Sequence, residues 1–229
     1  MMAITFALPT ESSDLIRQLR QPENVDNLLF GKIGDRDVTI VHTGVGAENC
    51  NERLEILLHK ARPEFVITAG FAGAVAENLA VGDLILAENF SYPTLLNLAK
   101  EILRNRNARS VKLFTSASVI NSTSERAEIA RQSGAAAVDM ETGAIVGVCS
   151  AHGVPVLSLR AISDTPRDPL PAPPDLLFDI ERQRTNYGRL FAYILREPAS
   201  ALRLLRFGQS IARVRKVLTD AIIELAGGL

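Results

Sequence analysis

The sequence predicts an α/β fold, a single domain over 1–229 with a mixed central β-sheet flanked by helices. Three observations predict it. Short apolar runs alternate with helical patterns over about residues 1–165, as strands covered by helices do. The chain has 229 residues, the length of one ordinary domain. It is 47% hydrophobic and 22% charged, so it can bury a core without disulfides or metals.

The elements follow in order. Residues 3–8 are apolar and precede Pro9-Thr10-Glu11, a buried strand ending in a loop. Glu11-Ser12-Ser13-Asp14 opens a helix to about residue 20, with Ser or Thr as cap. Residues 31–33 and 37–43 read as strands around the Gly34-Asp35 turn. After Thr43-Gly44-Val45-Gly46, residues 47–60 are helical. Residues 65–69 form a buried strand closed by Gly70-Phe71-Ala72-Gly73, read as a glycine turn. Strands follow at 83–89 and 111–116, a helix at 123–132 and a short strand at 136–138. A helix at 142–152 leads to a strand at 154–162, ending at Ser163-Asp164.

Residues 165–174 hold five prolines in ten positions, which excludes regular structure and predicts a loop. Residues 176–225 are helical, with a break at Glu197-Pro198. Arg189, Arg196, Arg203, Arg206, Arg213 and Arg215 stand beside leucines at helical spacing. That pattern fits a packed amphipathic helix pair with a solvated face. The alternative is a basic surface touching a membrane or a lipid-like ligand.

Composition excludes several classes. A net charge of −1 gives no support for binding nucleic acid. Two cysteines, Cys50 and Cys149, with no CxxC or His-rich spacing, predict no disulfide framework, no metal site and a reducing, cytoplasmic setting. The start, MMAITFALPTESSD, lacks the basic n-region of a signal peptide. No apolar run reaches the roughly 18–20 residues of a membrane span. GxGxxG and Walker motifs are absent, which argues against a dinucleotide or NTP fold.

Four segments can carry chemistry, each at the end of a predicted strand or the start of a helix, where α/β sheets bind ligands. Glu11, just past the first strand, is a base or merely complements a helix N-terminus. The glycine segments 44–46 and 70–73 let a ligand approach the backbone or are plain tight turns. Val138-Asp139-Met140-Glu141-Thr142-Gly143-Ala144 sets two carboxylates two residues apart. It is an acidic helix start, or a grip on vicinal hydroxyls with a compliant methionine beside it. Arg160, inside an apolar strand, needs a partner if buried. Asp164 follows it by four residues, as a cap or as an acid.

These segments, in this order, resemble the nucleoside phosphorylase/nucleosidase superfamily, most closely its 5′-methylthioadenosine/S-adenosylhomocysteine nucleosidase branch. The residues that carry the resemblance are Thr10-Glu11, TGVG at 43–46, ITAGFAGAVAENLAVGDLILAE at 67–88, SVIN at 118–121, VDMETGAI at 138–145 and VPVLSLRAISD at 154–164. The resemblance implies a homo-oligomer, a dimer, that needs no cofactor. It implies that Glu141 holds the ribose 2′- and 3′-hydroxyls with Met140 against the sugar. Asp164 is then the acid at purine N7, oriented by Ser163, and Glu11 activates the attacking water with help from Arg160. Val119, Ile120 and Asn121 line the base pocket, and Phe71, Ala72 and Gly73 lie near the nucleophile.

The chain departs from that pattern in places. Val119 stands where nucleosidases often carry a stacking phenylalanine, and Phe71 where serine is usual. Thr68 stands where the phosphorylases carry a phosphate-binding arginine. The segment between Asn89 and Val111 is short and is expected on the 5′ side of the substrate. These features favour hydrolysis of a purine nucleoside modified at its 5′ position. Phosphorolysis and a non-catalytic nucleoside-binding protein are the alternatives. The basic, Leu-rich C-terminal region also resembles hopanoid-associated phosphorylases, whose nucleoside carries a lipid. Futalosine hydrolase is a further relative.

Overall fold

The structure is a computed structural model that describes residues 1–45, 47–177, 192–193 and 195–229. Gly46 and Arg189 lie outside the described residues, as does most of the first predicted C-terminal helix.

Four strands form the centre of one sheet. These are β1 (Met2–Phe6), β4 (Arg36–His42), β5 (Phe65–Ala74) and β10 (Val156–Asp164). They run parallel in the order β4-β1-β5-β10. Helices cover both faces, so these strands read as continuous apolar runs rather than as alternating ones; β1 is buried at all five positions. On one edge β2 (Arg20–Val25) and β3 (Leu28–Ile33) extend the sheet antiparallel. On the other, β6 (Leu84–Ala87) runs antiparallel to β10, and β7 (Arg109–Val111) pairs with β6. Two short strands, β8 (Leu113–Thr115) and β9 (Ala137–Asp139), pair with each other, and β9 pairs with the far end of β5. The sheet is therefore mixed, as predicted.

The helices divide between the two faces. One apolar core joins the sheet to α1 (Pro9–Ile16), α3 (Pro93–Ile102) and α7 (Ala199–Gly228), through Leu15, Leu96, Leu159 and Leu218. The other packs α2 (Ala47–Ala61) and α5 (Thr142–Ala151) against the opposite face, through Leu54, Leu57, Ile145 and Cys149. Between them in sequence lie α4 (Thr123–Ser133) and, later, the single turn α6 (Pro174–Leu177). Ser122 caps α4, its Oγ accepting from Glu125 N at 3.2 Å, and Gly134 ends it at φ 68°, a conformation that suits glycine.

Several expectations need correction. Gly70-Phe71-Ala72-Gly73 is not a turn: β5 runs straight through it, paired with β10 as far as Gly73. Helix α1 starts earlier, with Pro9 in its first turn, where a missing N–H costs nothing. It also stops earlier, because the exposed segment RQPENV continues as strand β2. The predicted strand at 111–116 is two strands. The segment between Asn89 and Val111 holds helix α3, whose Leu96 and Ala99 are buried. Before that helix, Tyr92 N donates to Val156 O at 2.7 Å and Ser158 N donates to Ser91 Oγ at 3.0 Å. Residues 91–92 thus lie at the start of β10, opposite the end that carries Asp164.

The Pro-rich loop has no strand or helix before Pro174, and the C-terminal helix begins after Pro198 as expected. Its two halves differ. Val214, Leu218, Ala221, Ile222 and Leu225 are buried in the core, whereas Leu202 and Leu205 are 53% and 60% exposed. Among the described residues no helix is long and apolar enough to cross a membrane.

Candidate active site

The site gathers at the C-terminal ends of β1, β5, β9 and β10, where a parallel sheet presents its loops. Glu11 is in the first turn of α1 and is buried. Its Oε2 accepts from Leu8 N at 2.9 Å and its Oε1 from Phe71 N at 3.0 Å. Burial raises its pKa above the ordinary carboxylate value, opposed by these backbone N–H groups and by the charge of Arg160. The carboxylate lies on the bare backbone of Gly70, where a Cβ would stand 3.0 Å from Oε1. This is the reason for glycine in the middle of a strand.

Phe71 contributes its N–H to Glu11, but its side chain packs against the core of the α1 and α7 face. Its backbone thus stands beside Glu11 while its ring is partly buried against that core.

Arg160 is 2% exposed. Its Nε donates to Asp139 Oδ2 at 2.9 Å. Its Nη1 donates to Thr68 O and Leu159 O, and its Nη2 to Thr68 Oγ1 and Thr142 Oγ1. A guanidinium has five N–H groups, and all five are occupied. Arg160 therefore offers none to an attacking water, and its influence on Glu11 is through charge alone. Asp139, which has no assigned role in the family resemblance, is its counterion. Asp139 also accepts from Thr115 Oγ1 at 3.0 Å and from the backbone N–H and hydroxyl of Thr142, which ties down the start of α5.

Glu141 follows at the N-terminal boundary of α5, with Met140 half-buried beside it. Burial, and then the charges of Asp139 and Glu11, push its carboxyl up to about 8. At neutral pH it is mostly protonated, able both to donate and to accept.

Asp164 lies after a bulge at Ser163 in β10. Ser163 Oγ donates to Asp164 Oδ1 at 2.6 Å and reaches Ala72 O at 3.3 Å. Asp164 Oδ2 is bonded to Arg126 Nη2, and Arg126 Nη1 donates to Ala74 O at 2.7 Å. Gly73 makes room, since a Cβ there would stand 3.0 Å from Asp164 Oδ2. Arg126 is a site residue that does not stand out in the sequence. Its signal was faint: Arg126, Ile129, Ala130 and Ser133 share the one α4 face with apolar content.

Val119, Ile120 and Asn121 sit on the loop before α4, with Val119 39% exposed. Asn121 and Ser163 together border a cavity of about 970 Å³ between the Pro-rich loop and α7, lined also by Leu170, Pro171, Phe207 and Arg213. Cys50 and Cys149 are far from nucleophilic, since burial pushes both thiols up to about 12.

Comparison with known proteins gives the family. The family model described as the phosphorylase superfamily matches residues 2–93 and 89–197. A 5′-methylthioadenosine/S-adenosylhomocysteine nucleosidase of Staphylococcus epidermidis is 28% identical over 196 residues, covering 72% of this chain and 86% of the relative. The nucleosidase of Campylobacter jejuni shares the fold with a TM-score of 0.74 at 21% identity, covering 100% of this chain and 99% of the other. The futalosine hydrolase of Helicobacter pylori does so at 0.72 and 15%, covering 100% and 97%. The chain belongs to the phosphorylase superfamily.

Proposed function

We propose that the chain is a nucleosidase that hydrolyses the N-glycosidic bond of an adenine nucleoside modified at its 5′ position, such as methylthioadenosine or S-adenosylhomocysteine. The observation that carries this reading is the placing of two carboxyls on two glycines of one strand. Glu11 rests on Gly70 and Asp164 on Gly73. Both glycines lie in the last five residues of β5 (Phe65–Ala74), so both carboxyls stand at the same end of the sheet.

The chemistry follows from those positions. Glu141 grips the ribose diol, donating to one hydroxyl and accepting from the other. As the C1′–N9 bond breaks, its electrons go to the base, and Asp164 delivers a proton to N7 so that the base leaves neutral. Positive charge grows on the ribose and is stabilised by the Glu11 carboxylate. Water adds to C1′, and Glu11 takes its proton. Water is favoured over phosphate because Arg160 has no N–H left for an anion. The Glu11 carboxylate at the sugar also disfavours a second negative group.

A base-release assay tests the reading on methylthioadenosine, S-adenosylhomocysteine, adenosine, inosine and futalosine, with and without phosphate. Free adenine without phosphate, lost in Asp164→Asn, is the expected result. Release that requires phosphate makes the chain a phosphorylase. Ligand binding without turnover, unchanged in Asp164→Asn, makes it a binding protein.

The reading includes a cytoplasmic homodimer. A monomeric mass by light scattering at full activity would discard the dimer.

A further inference from the structure

Helix α4 is the starting point. Arg126 is its one buried side chain, and it is a cation. A helix docked for packing alone buries leucines; this one inserts a guanidinium, 2% exposed, between two strands. Nη1 holds Ala74 O of β5 and Nη2 holds Asp164 of β10. The pair lies on Gly73, where a Cβ would stand 3.3 Å from Arg126 Nη1 and 3.0 Å from Asp164 Oδ2. Three separate parts of the chain are thus fitted to one ion pair.

We propose that Arg126 is a positioning residue for departure of the base, acting through Asp164; this rests on the nucleosidase reading above. Two physical effects support the role. First, the bond to Oδ2 leaves Oδ1 to Ser163, which itself lines the cavity. Ser163 can serve that oxygen in both states, since its hydroxyl also reaches Ala72 O. Second, once Asp164 has passed its proton to N7 it remains as a buried anion. A buried anion with no partner is costly, and one held by a guanidinium is not. Arg126 therefore stabilises the state that exists just after the proton has moved.

The role predicts a dependence on the leaving group. A purine needs protonation to leave; the phenolate of a nitrophenyl riboside does not. In Arg126→Met, kcat on the purine nucleoside falls about a hundredfold, with KM changed less than about threefold, while nitrophenyl riboside turnover stays within about threefold of wild type. Arg126→Lys, which keeps the charge but not the fork, loses about tenfold on the purine. The nitrophenyl riboside also reports folding, because a misfolded variant loses both reactions. Equal losses on both substrates in Arg126→Met and Arg126→Lys make Arg126 an anchor for α4 and overturn the proposal, as does no loss on either. A wild-type protein idle on every nucleoside defeats the nucleosidase reading itself, a distinct result that takes this inference with it.

Discussion

Arg160 with Asp139 and Arg126 with Asp164 are both buried arginine–aspartate pairs, and they are built differently. The first is closed. Every N–H of Arg160 has an acceptor, and Asp139 accepts from Thr115, from Arg160 and twice from Thr142. The second is open, with Asp164 bonded to Ser163, a serine that lines a large cavity and has two places to donate. A closed pair fixes strands and a helix start to each other. An open pair keeps hydrogen-bonding capacity for something that arrives and leaves.

The comparison can be broken most severely at the closed pair. Arg160→Met leaves Asp139 buried without its counterion, at a cost of about 3–5 kcal/mol. Urea unfolding should show it as a lower midpoint at unchanged slope, with much of the loss recovered when Asp139→Asn is added. At the sugar end, Glu11→Gln keeps the shape and forms no new buried charge. The amide accepts from only one of Leu8 N and Phe71 N, so stability should fall by about 1–3 kcal/mol, less than in Arg160→Met, while base release falls about 10²- to 10⁴-fold. Together the two variants separate scaffold from chemistry.

Smaller effects sharpen the contrast. Gly70→Ala places a methyl 3.0 Å from Glu11 Oε1, and displacing the carboxylate should cost about 1–3 kcal/mol in activation or stability. The pH dependence of stability is a further test. Glu141 has its pKa raised from 4.5 to about 8, and that of Glu11 is raised too. Both bind protons more tightly when folded, so their contribution is complete below about pH 4.5 and declines as the pH climbs towards 8. Thermal melts across that range should show Tm falling, and Glu141→Gln should flatten the slope. The smallest effect belongs to Ser122→Ala, which removes the cap of α4 for about 1 kcal/mol.

Much of this arrangement is legible in the sequence for a physical reason. An arginine inside the apolar run VLSLRAISD must be paired, and Asp-Met-Glu before a helix must do more than face water. The parallel strands announce themselves because they are buried on both faces. What the sequence hides is equally physical. Strand β2 is wholly exposed and carries no apolar pattern. Gly70 and Gly73 read as a turn because the carboxylates that require them come from Glu11 and Asp164, far away in the chain. Arg126 looks like one more surface charge on a polar helix until β5 and β10 supply its partners. Helix α3 is not among the elements predicted from the sequence, although Leu96, Ala99 and Leu103 recur at helical spacing and are all buried.

The central claim is that water, activated at Glu11, attacks the ribose while Asp164 sees the base away. The most direct measurement runs the reaction on methylthioadenosine in ¹⁸O-labelled water with phosphate present, and weighs the sugar by mass spectrometry. The account predicts free adenine and a sugar carrying the label, with neither formed by Glu11→Gln. A sugar phosphate without label, or labelled sugar from Glu11→Gln at the wild-type rate, would contradict it.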